Sequence, residues 1–216
     1  MFHVKHYILL FFLKKGLFHV KQKNEILEKS KQKLENFVEI LLEWQKKVNL
    51  ISSSTIKDVW NRHILDSLQL YPLLPEEASS FLDVGTGGGF PGMVLAIADS
   101  CCFHQFNKMI LVESQLKKCV FLQEVSNKLK VPVTIINERI EKVTEKVDVI
   151  TSRAVMSCAN LIEQTKGCRK KETVCLFLKG KNVEKELEAI PDNYIITKLK
   201  SQTMEGSFII EVKESR

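Results

Sequence analysis

Paired cysteines are what this 216-residue chain most clearly lacks. Its six cysteines, Cys101, Cys102, Cys119, Cys158, Cys168 and Cys175, form no CxxC pair. None has a histidine at the spacing of a zinc site, so no structural metal is expected. A small-residue cleavage site is also missing near the N-terminus, which argues against a secretory leader. The thiols therefore read as reduced, in a cytoplasmic protein. "YILLFFL" (Tyr7–Leu13) is apolar but far short of the roughly 20 residues that a membrane span needs. Charge of one sign is not in great excess: 32 basic against 26 acidic residues leave a net +6, which suits a polyanionic partner without requiring one. With 44% apolar and 27% charged residues the chain is globular, and its length fits one α/β domain with an extension.

"FHVK" occurs at residues 2–5 and again at 18–21. The working protein is expected to begin near Leu17, with residues 1–22 an extension or a mis-assigned start; the sharper alternative is a weak membrane-surface anchor. Residues 23–79 read as a helical unit. From Asn24 to Leu50, Leu34, Phe37, Val38, Leu41, Trp44 and Val48 form one stripe of an amphipathic helix. The charges opposite them read as a solvated face. Thr55 with Asp58 approximates a capping pattern that starts a second helix through "VWNRHILDSLQL", ending before Pro72 and Pro75.

Residues 80–216 alternate short apolar runs with helical periods, the mark of stacked βαβ units and a parallel sheet. Strands are expected at Phe81–Val84, Met109–Val112, Pro132–Ile136, Val147–Thr151 and Val174–Leu178. Helices are expected at Gly92–Ala98, Gln115–Leu129 and Val155–Thr165. Tyr194–Lys198 and Phe208–Val212 read as a closing edge hairpin. The expected fold class is thus α/β, a seven-stranded Rossmann-like sheet with an N-terminal helical extension.

"FLDVGTGGGFPG" (81–92) places five glycines behind the first strand. Phe90 stands where a dinucleotide fingerprint requires its third glycine. The pattern D-x-G-x-G-x-G, from Asp83 through Gly85, Gly87 and Gly89, is instead the loop that S-adenosylmethionine enzymes use; the plainer alternative is a structural turn. Glycines there let the chain turn sharply and leave no Cβ between backbone and ligand. The helix start near Pro91 offers unpaired N–H groups to a carboxylate. Asp83 is a candidate for the ligand's amino group, directly or through water. Glu113, at the end of the second strand, suits two ribose hydroxyls. Ile140 and Glu141, after the third, suit an adenine. The cofactor read from this order of signals is S-adenosyl-L-methionine.

Two further absences narrow the acceptor. The fourth strand ends "DVITSRAV", without the [DN]PP[YF] tetrad that activates exocyclic amines, and no Pro-Cys dipeptide offers a nucleophile. Guanine N7, whose lone pair is already free at neutral pH, meets that description. Arg153 stands at this strand end, able to pair with a phosphate, the cofactor carboxylate or a guanine edge, or else to make a structural ion pair with Asp83 or Glu141.

"NLISSSTIKDVWNRHILDSL", "FLDVGTGGGFPG", "LVESQLKKCVFL", "RIE", "SRA" and "FLKG" together closely resemble the bacterial RsmG (GidB) family, from about Phe18 to Val212. The resemblance implies a class I S-adenosylmethionine-dependent methyltransferase fold. It also implies methylation of a guanine N7 in the 530 loop of 16S rRNA, within the small (30S) ribosomal subunit, by a monomer. It carries the family's cofactor contacts onto Gly85, Phe90, Ile140, Glu141 and Arg153. Gly88 departs from the family's commoner alanine or proline. His63 and Asp66, in the "RHILDS" block, are candidates for lining the substrate side. A direct catalytic role for His63 stands beside the plainer one of a packed or capping histidine. Lys117, Lys118, Lys179 and Lys181 are candidates for rRNA phosphates, or plain solvated charges. The competing functions are a methyltransferase with another acceptor, a ribosome-assembly binding module with an idle cofactor pocket, and a nicotinamide dehydrogenase.

Overall fold

Runs of β-branched and large apolar residues, too short for helices and without polar alternation, can be buried only as strands covered on both faces. In the computed structural model, which describes residues 2–215 with side chains from residue 24 onward, they form one seven-stranded sheet. The strands are β1 (Ser80–Val84), β2 (Lys108–Val112), β3 (Thr134–Ile136), β4 (Val147–Arg153), β5 (Arg169–Lys179), β6 (Tyr194–Lys200) and β7 (Phe208–Glu214). Their order is β3-β2-β1-β4-β5-β7-β6. The first five are mutually parallel, and β7 runs antiparallel between β5 and the edge strand β6. Strand order reverses between β1 and β4, so the crevice at their C-terminal ends is where such a sheet takes a ligand.

The helices are α1 (Phe2–Gln45), α2 (Asp66–Leu68), α3 (Gly92–Cys102), α4 (Leu116–Leu129), α5 (Cys158–Gln164) and α6 (Val183–Leu187). On one face of the sheet, Leu34, Phe37 and Leu41 of α1 share a core with Met93 of α3, Phe121 of α4 and Phe81 of β1. On the other, Leu82 and Val84 pack with Ile110, Ile150, Leu161 and Phe177. The period-two alternation puts Asp83 on the Phe81 side, beneath α3.

Several boundaries moved for local reasons. α1 stops at Gln45 rather than Leu50 because the Gln45 side chain caps the turn that follows. Its Oε1 accepts the Leu50 and Ile51 amides, and its Nε2 donates to the Ile51 carbonyl. The Thr55–Asp58 cap does not form: Ser53–Asp58 is a 3₁₀ turn without a side-chain cap, followed by a π-helical turn at Trp60–Leu65. Such turns are rare and gather at functional sites. α5 begins at Cys158 instead of Val155, with Ser157 as its N-cap, because Ala154 holds a left-handed φ of +53°. β5 starts five residues before its apolar run, since backbone pairing with β4 continues past an irregularity between Val147 and Val149. The expectation about residues 1–22 falls on Met1 and on side chains outside the described residues.

Gly92 begins α3 against β1. A Cβ there would lie 2.4 Å from Leu111 Cδ2 and 2.6 Å from Asp83 Cβ. Gly92→Ala is therefore expected to lower unfolding stability by about 3 kcal/mol through overpacking. Urea denaturation checks this, a midpoint equal to wild type being the contrary result.

Candidate active site

The site is organised from underneath by Asp83. Its carboxylate is fully buried, with Oδ2 accepting the Gly92 amide at 2.9 Å and Oδ1 accepting the Thr151 hydroxyl at 2.8 Å. One side chain thus ties β1, β4 and the start of α3. Burial pushes its carboxyl up to about 6, against the pull of the Thr151 and Gly92 donors. In this arrangement both carboxylate oxygens are engaged within the protein. Asp83 holds the loop from behind.

The loop itself takes the conformation that its glycines permit. Gly85, Gly87 and Gly89 have φ of +63°, +57° and +89°. Glu113 fixes the outer side: its Oε2 accepts the Gly87 amide at 3.0 Å and its Oε1 the Gln115 amide at 2.8 Å. It is 6% exposed, with lone pairs beyond those two contacts. Beside the loop lies a groove of about 160 Å³, walled by Val112, Ile140, Val155 and Met156 and bordered by Gly85 and Glu141. The structure brings Gly85, Ile140 and Glu141 together here. Gly85 lies directly under Val155, whose Cγ2 is 2.6 Å from where a Cβ would be, so a side chain at 85 would collide with it.

A second cavity, about 300 Å³, opens at the ends of β4 and β5. Arg153, His63, Asp66 and Lys179 line it, with Met204 and Phe208 from the β6–β7 hairpin. Arg153 donates to the Arg62 carbonyl (2.9 Å) and to His63 Nδ1 (2.6 Å), and lies 3.7 Å from Asp66 Oδ2. Its ion-pair partner is thus Asp66, not Asp83 or Glu141. The guanidinium carbon stands 4.9 Å from the centre of the Phe90 ring, and the His63 ring packs on the same phenyl at 4.8 Å. Phe90, 3% exposed, is a platform between these groups and Phe37. Burial and the neighbouring Arg153 and Arg62 charges lower His63 to about 3. Asp66 is raised by burial despite the Thr203 hydroxyl and Arg153.

Nothing in the chain pattern announced the hairpin's part. Gln69 Oε1 accepts the Gln202 amide at 2.9 Å, and the Thr203 hydroxyl donates to Asp66 Oδ1 at 2.8 Å. Partners more than 130 residues apart leave no spacing to read. Thr55, read above only as a cap, meets His63 Nε2 at 2.8 Å.

With that geometry, comparison with known proteins is informative. Residues 30–210 match the family model GidB, rRNA small subunit methyltransferase G. The chain belongs to this family. It is 37% identical over 195 residues to the ribosomal RNA small subunit methyltransferase G of Paramagnetospirillum magneticum, covering 89% of this chain and 92% of that one. To the protein of the same name from Gluconobacter oxydans it is 40% identical over 186 residues, covering 85% and 93%. Among solved structures, a SAM-dependent methyltransferase from Aquifex aeolicus superposes with a TM-score of 0.56 at 18% identity, covering 75% and 98%. The fold is that of the class I S-adenosylmethionine-dependent methyltransferases.

Of the positions carried over from the GidB resemblance, Gly85, Ile140 and Glu141 border the groove, Arg153 the cavity, and Phe90 packs against the His63 ring and the Arg153 guanidinium. The four lysines separate. Lys117 and Lys181 are exposed, and Lys118 is half-buried. Lys179 is mostly enclosed while still bordering the cavity: 7% exposed, it donates to the Met156 carbonyl and pairs with Glu186 at 2.8 Å. Its ammonium is held by the Glu186 carboxylate. It anchors the 154–157 connection that separates groove from cavity. Among the described residues no cluster of three metal-binding side chains occurs, and no helix is long and apolar enough to cross a membrane.

Lys179→Met leaves Glu186 without its cation and is expected to cost about 2–3 kcal/mol of stability. Adding Glu186→Gln to that variant should restore part of the loss. Urea unfolding of the single and double variants measures both, and a neutral single variant would assign the pair no structural weight.

Proposed function

We propose that the protein transfers the methyl group of S-adenosylmethionine to N7 of a guanine in the 530 loop of 16S rRNA, acting on the small ribosomal subunit as a cytoplasmic monomer. Membership of the rRNA small subunit methyltransferase G family supports the reaction class. The residues present fit the cofactor. A Cβ on Gly87 would meet nothing nearer than the Gly85 carbonyl at 3.8 Å, so backbone is open to a ligand there. Glu113 and Glu141 offer carboxylate oxygens suited to ribose hydroxyls and an exocyclic amine, and Val112 and Ile140 offer apolar walls suited to a purine. When bound, the cofactor supplies an electrophilic methyl on a sulfonium.

The observation that carries the choice of acceptor is the state of the cavity's titratable groups. His63 is uncharged at neutral pH, yet it is no available base, since both ring nitrogens are already engaged. Asp66 accepts from Thr203 and Gln69 through Oδ1, and its Oδ2 is set against the Arg153 cation at 3.7 Å. His63 is thus not placed to remove a proton, and Asp66 is a carboxylate already paired with an arginine. An acceptor with a free lone pair at neutral pH, as at guanine N7, needs no such group. Catalysis is then placement, which supplies about 7–11 kcal/mol when reactants are well aligned. Arg153 serves as the fixed cation of the cavity. Exposed Lys117, Lys181 and Arg62, with Lys118, contribute phosphate contacts that weaken with salt.

The test is transfer of radiolabelled methyl to 30S subunits lacking N7-methylguanine, followed by borohydride–aniline mapping. One cleavage in the 530 loop is the expected product; label elsewhere overturns the acceptor. For the cofactor side, Glu141→Ala should weaken S-adenosylmethionine binding about tenfold in calorimetry, the loss of one hydrogen bond to a charged group. Unchanged affinity would remove Glu141 from the site.

A further inference from the structure

His63 sits in a chain of hydrogen bonds whose direction is determined at every link. A guanidinium has donors only, so the 2.6 Å contact between Arg153 and His63 Nδ1 requires that Nδ1 be bare. The neutral ring then carries its proton on Nε2, 2.8 Å from Thr55 Oγ1, which must accept it. The Thr55 hydroxyl in turn donates to the Ser52 carbonyl at 2.8 Å. Rotating the imidazole by half a turn would present carbon atoms to both partners, so the ring orientation is determined as well.

We propose that His63 is a positioning residue: held neutral, with its proton on Nε2, it is the acceptor that orients the Arg153 guanidinium in the cavity. The other guanidinium contacts, from the Arg62 carbonyl and Asp66, fall on Nη1. Two N–H groups are thus directed by hydrogen bonds, to the Arg62 carbonyl and to His63 Nδ1, while Asp66 at 3.7 Å adds an ion pair. Among the described residues the Nε–H and the second hydrogen on Nη2 make no hydrogen bond, which leaves them for what enters the cavity. Neutrality is part of the arrangement. An imidazolium would set a proton against the Arg153 donor, beside Arg62 as well. The carboxylates nearby, Asp66 on the same helical stretch and Asp83 behind Arg153, are coupled to the guanidinium. The groups that the β6–β7 hairpin brings to Asp66 and Gln69 are hydroxyls and amides without charge. Low polarity and two arginines push His63 down to about 3, so it stays neutral across the working range.

The proposal rests on Arg153 belonging to the reactive cavity, and its test has one arm independent of that reading. Long-range proton–nitrogen correlation on the histidine-labelled full chain should give His63 a bare Nδ1 and a protonated Nε2, unchanged from pH 8 to pH 5. A protonated Nδ1, or a titration midpoint near 6.5, overturns the proposal whether or not the protein methylates rRNA. The second arm compares two variants at matched melting temperature. His63→Phe keeps the ring packing on Phe90 but has no acceptor, and should lower kcat about 10–100-fold, the effect of a misplaced group. His63→Asn returns an oxygen near the Nδ1 position and should recover most of that loss. Equal activity of the two variants overturns the positioning role. If wild type itself labels no 30S subunit, the functional reading fails and the nitrogen spectra alone decide the proposal.

Discussion

A carboxylate with no exposure to water must be matched by donors or neutralised, and Asp83 is where this fold accepts that constraint. Its two oxygens face the amide that opens α3 and the hydroxyl of Thr151 on β4. The position of the helix relative to the two central strands follows from those bonds. So does the glycine loop, whose chain has only the residues between Val84 and Gly92 in which to turn. The elevated carboxyl, at about 6, means that burial outweighs the donors. Because its folded value lies above the unfolded one, the stabilisation from this group is full below about pH 4. It is lost as the pH rises through about 6, and at neutral pH the ionised side chain is tolerated for the geometry it imposes.

The same loop carries Phe90, through which the constraint passes to the cavity. The phenyl supports Arg153 and His63 on one side and meets Phe37 of α1 on the other. An arginine at a strand end is held by groups from three distant segments: the π-helical turn, the glycine loop and, through Asp66, the terminal hairpin. The result is a cation held beside an imidazole whose two nitrogens are both engaged.

Much of the frame was legible in the chain. Each expected strand exists within a few residues, because short apolar runs bounded by turn residues have few other ways to be buried. The glycines at 85, 87 and 89 announced positive φ, and all three have it. Gly85, Ile140 and Glu141, ordered after successive strands, do meet in one groove. What the pattern could not show is how two charged residues are enclosed. Asp83 and Lys179 are charged residues near a site, and pattern alone assigns such residues to ligands. Their burial, with Gly92 and Thr151 around one and Glu186 and Met156 around the other, depends on strands and helices that sequence order does not place side by side.

By itself, then, the sequence determined local geometry: periods of burial, where the backbone must turn, and the α/β alternation that makes a crevice at the strand ends. Tertiary structure alone decided which side chains face that crevice and which are enclosed. It paired Arg153 with His63 and Asp66, and brought Thr203 to Asp66 across 137 residues. Hydrogen-bond partners are chosen by distances of about 3 Å. Such distances are set only after every element has packed, whereas periodicity is written residue by residue along the chain.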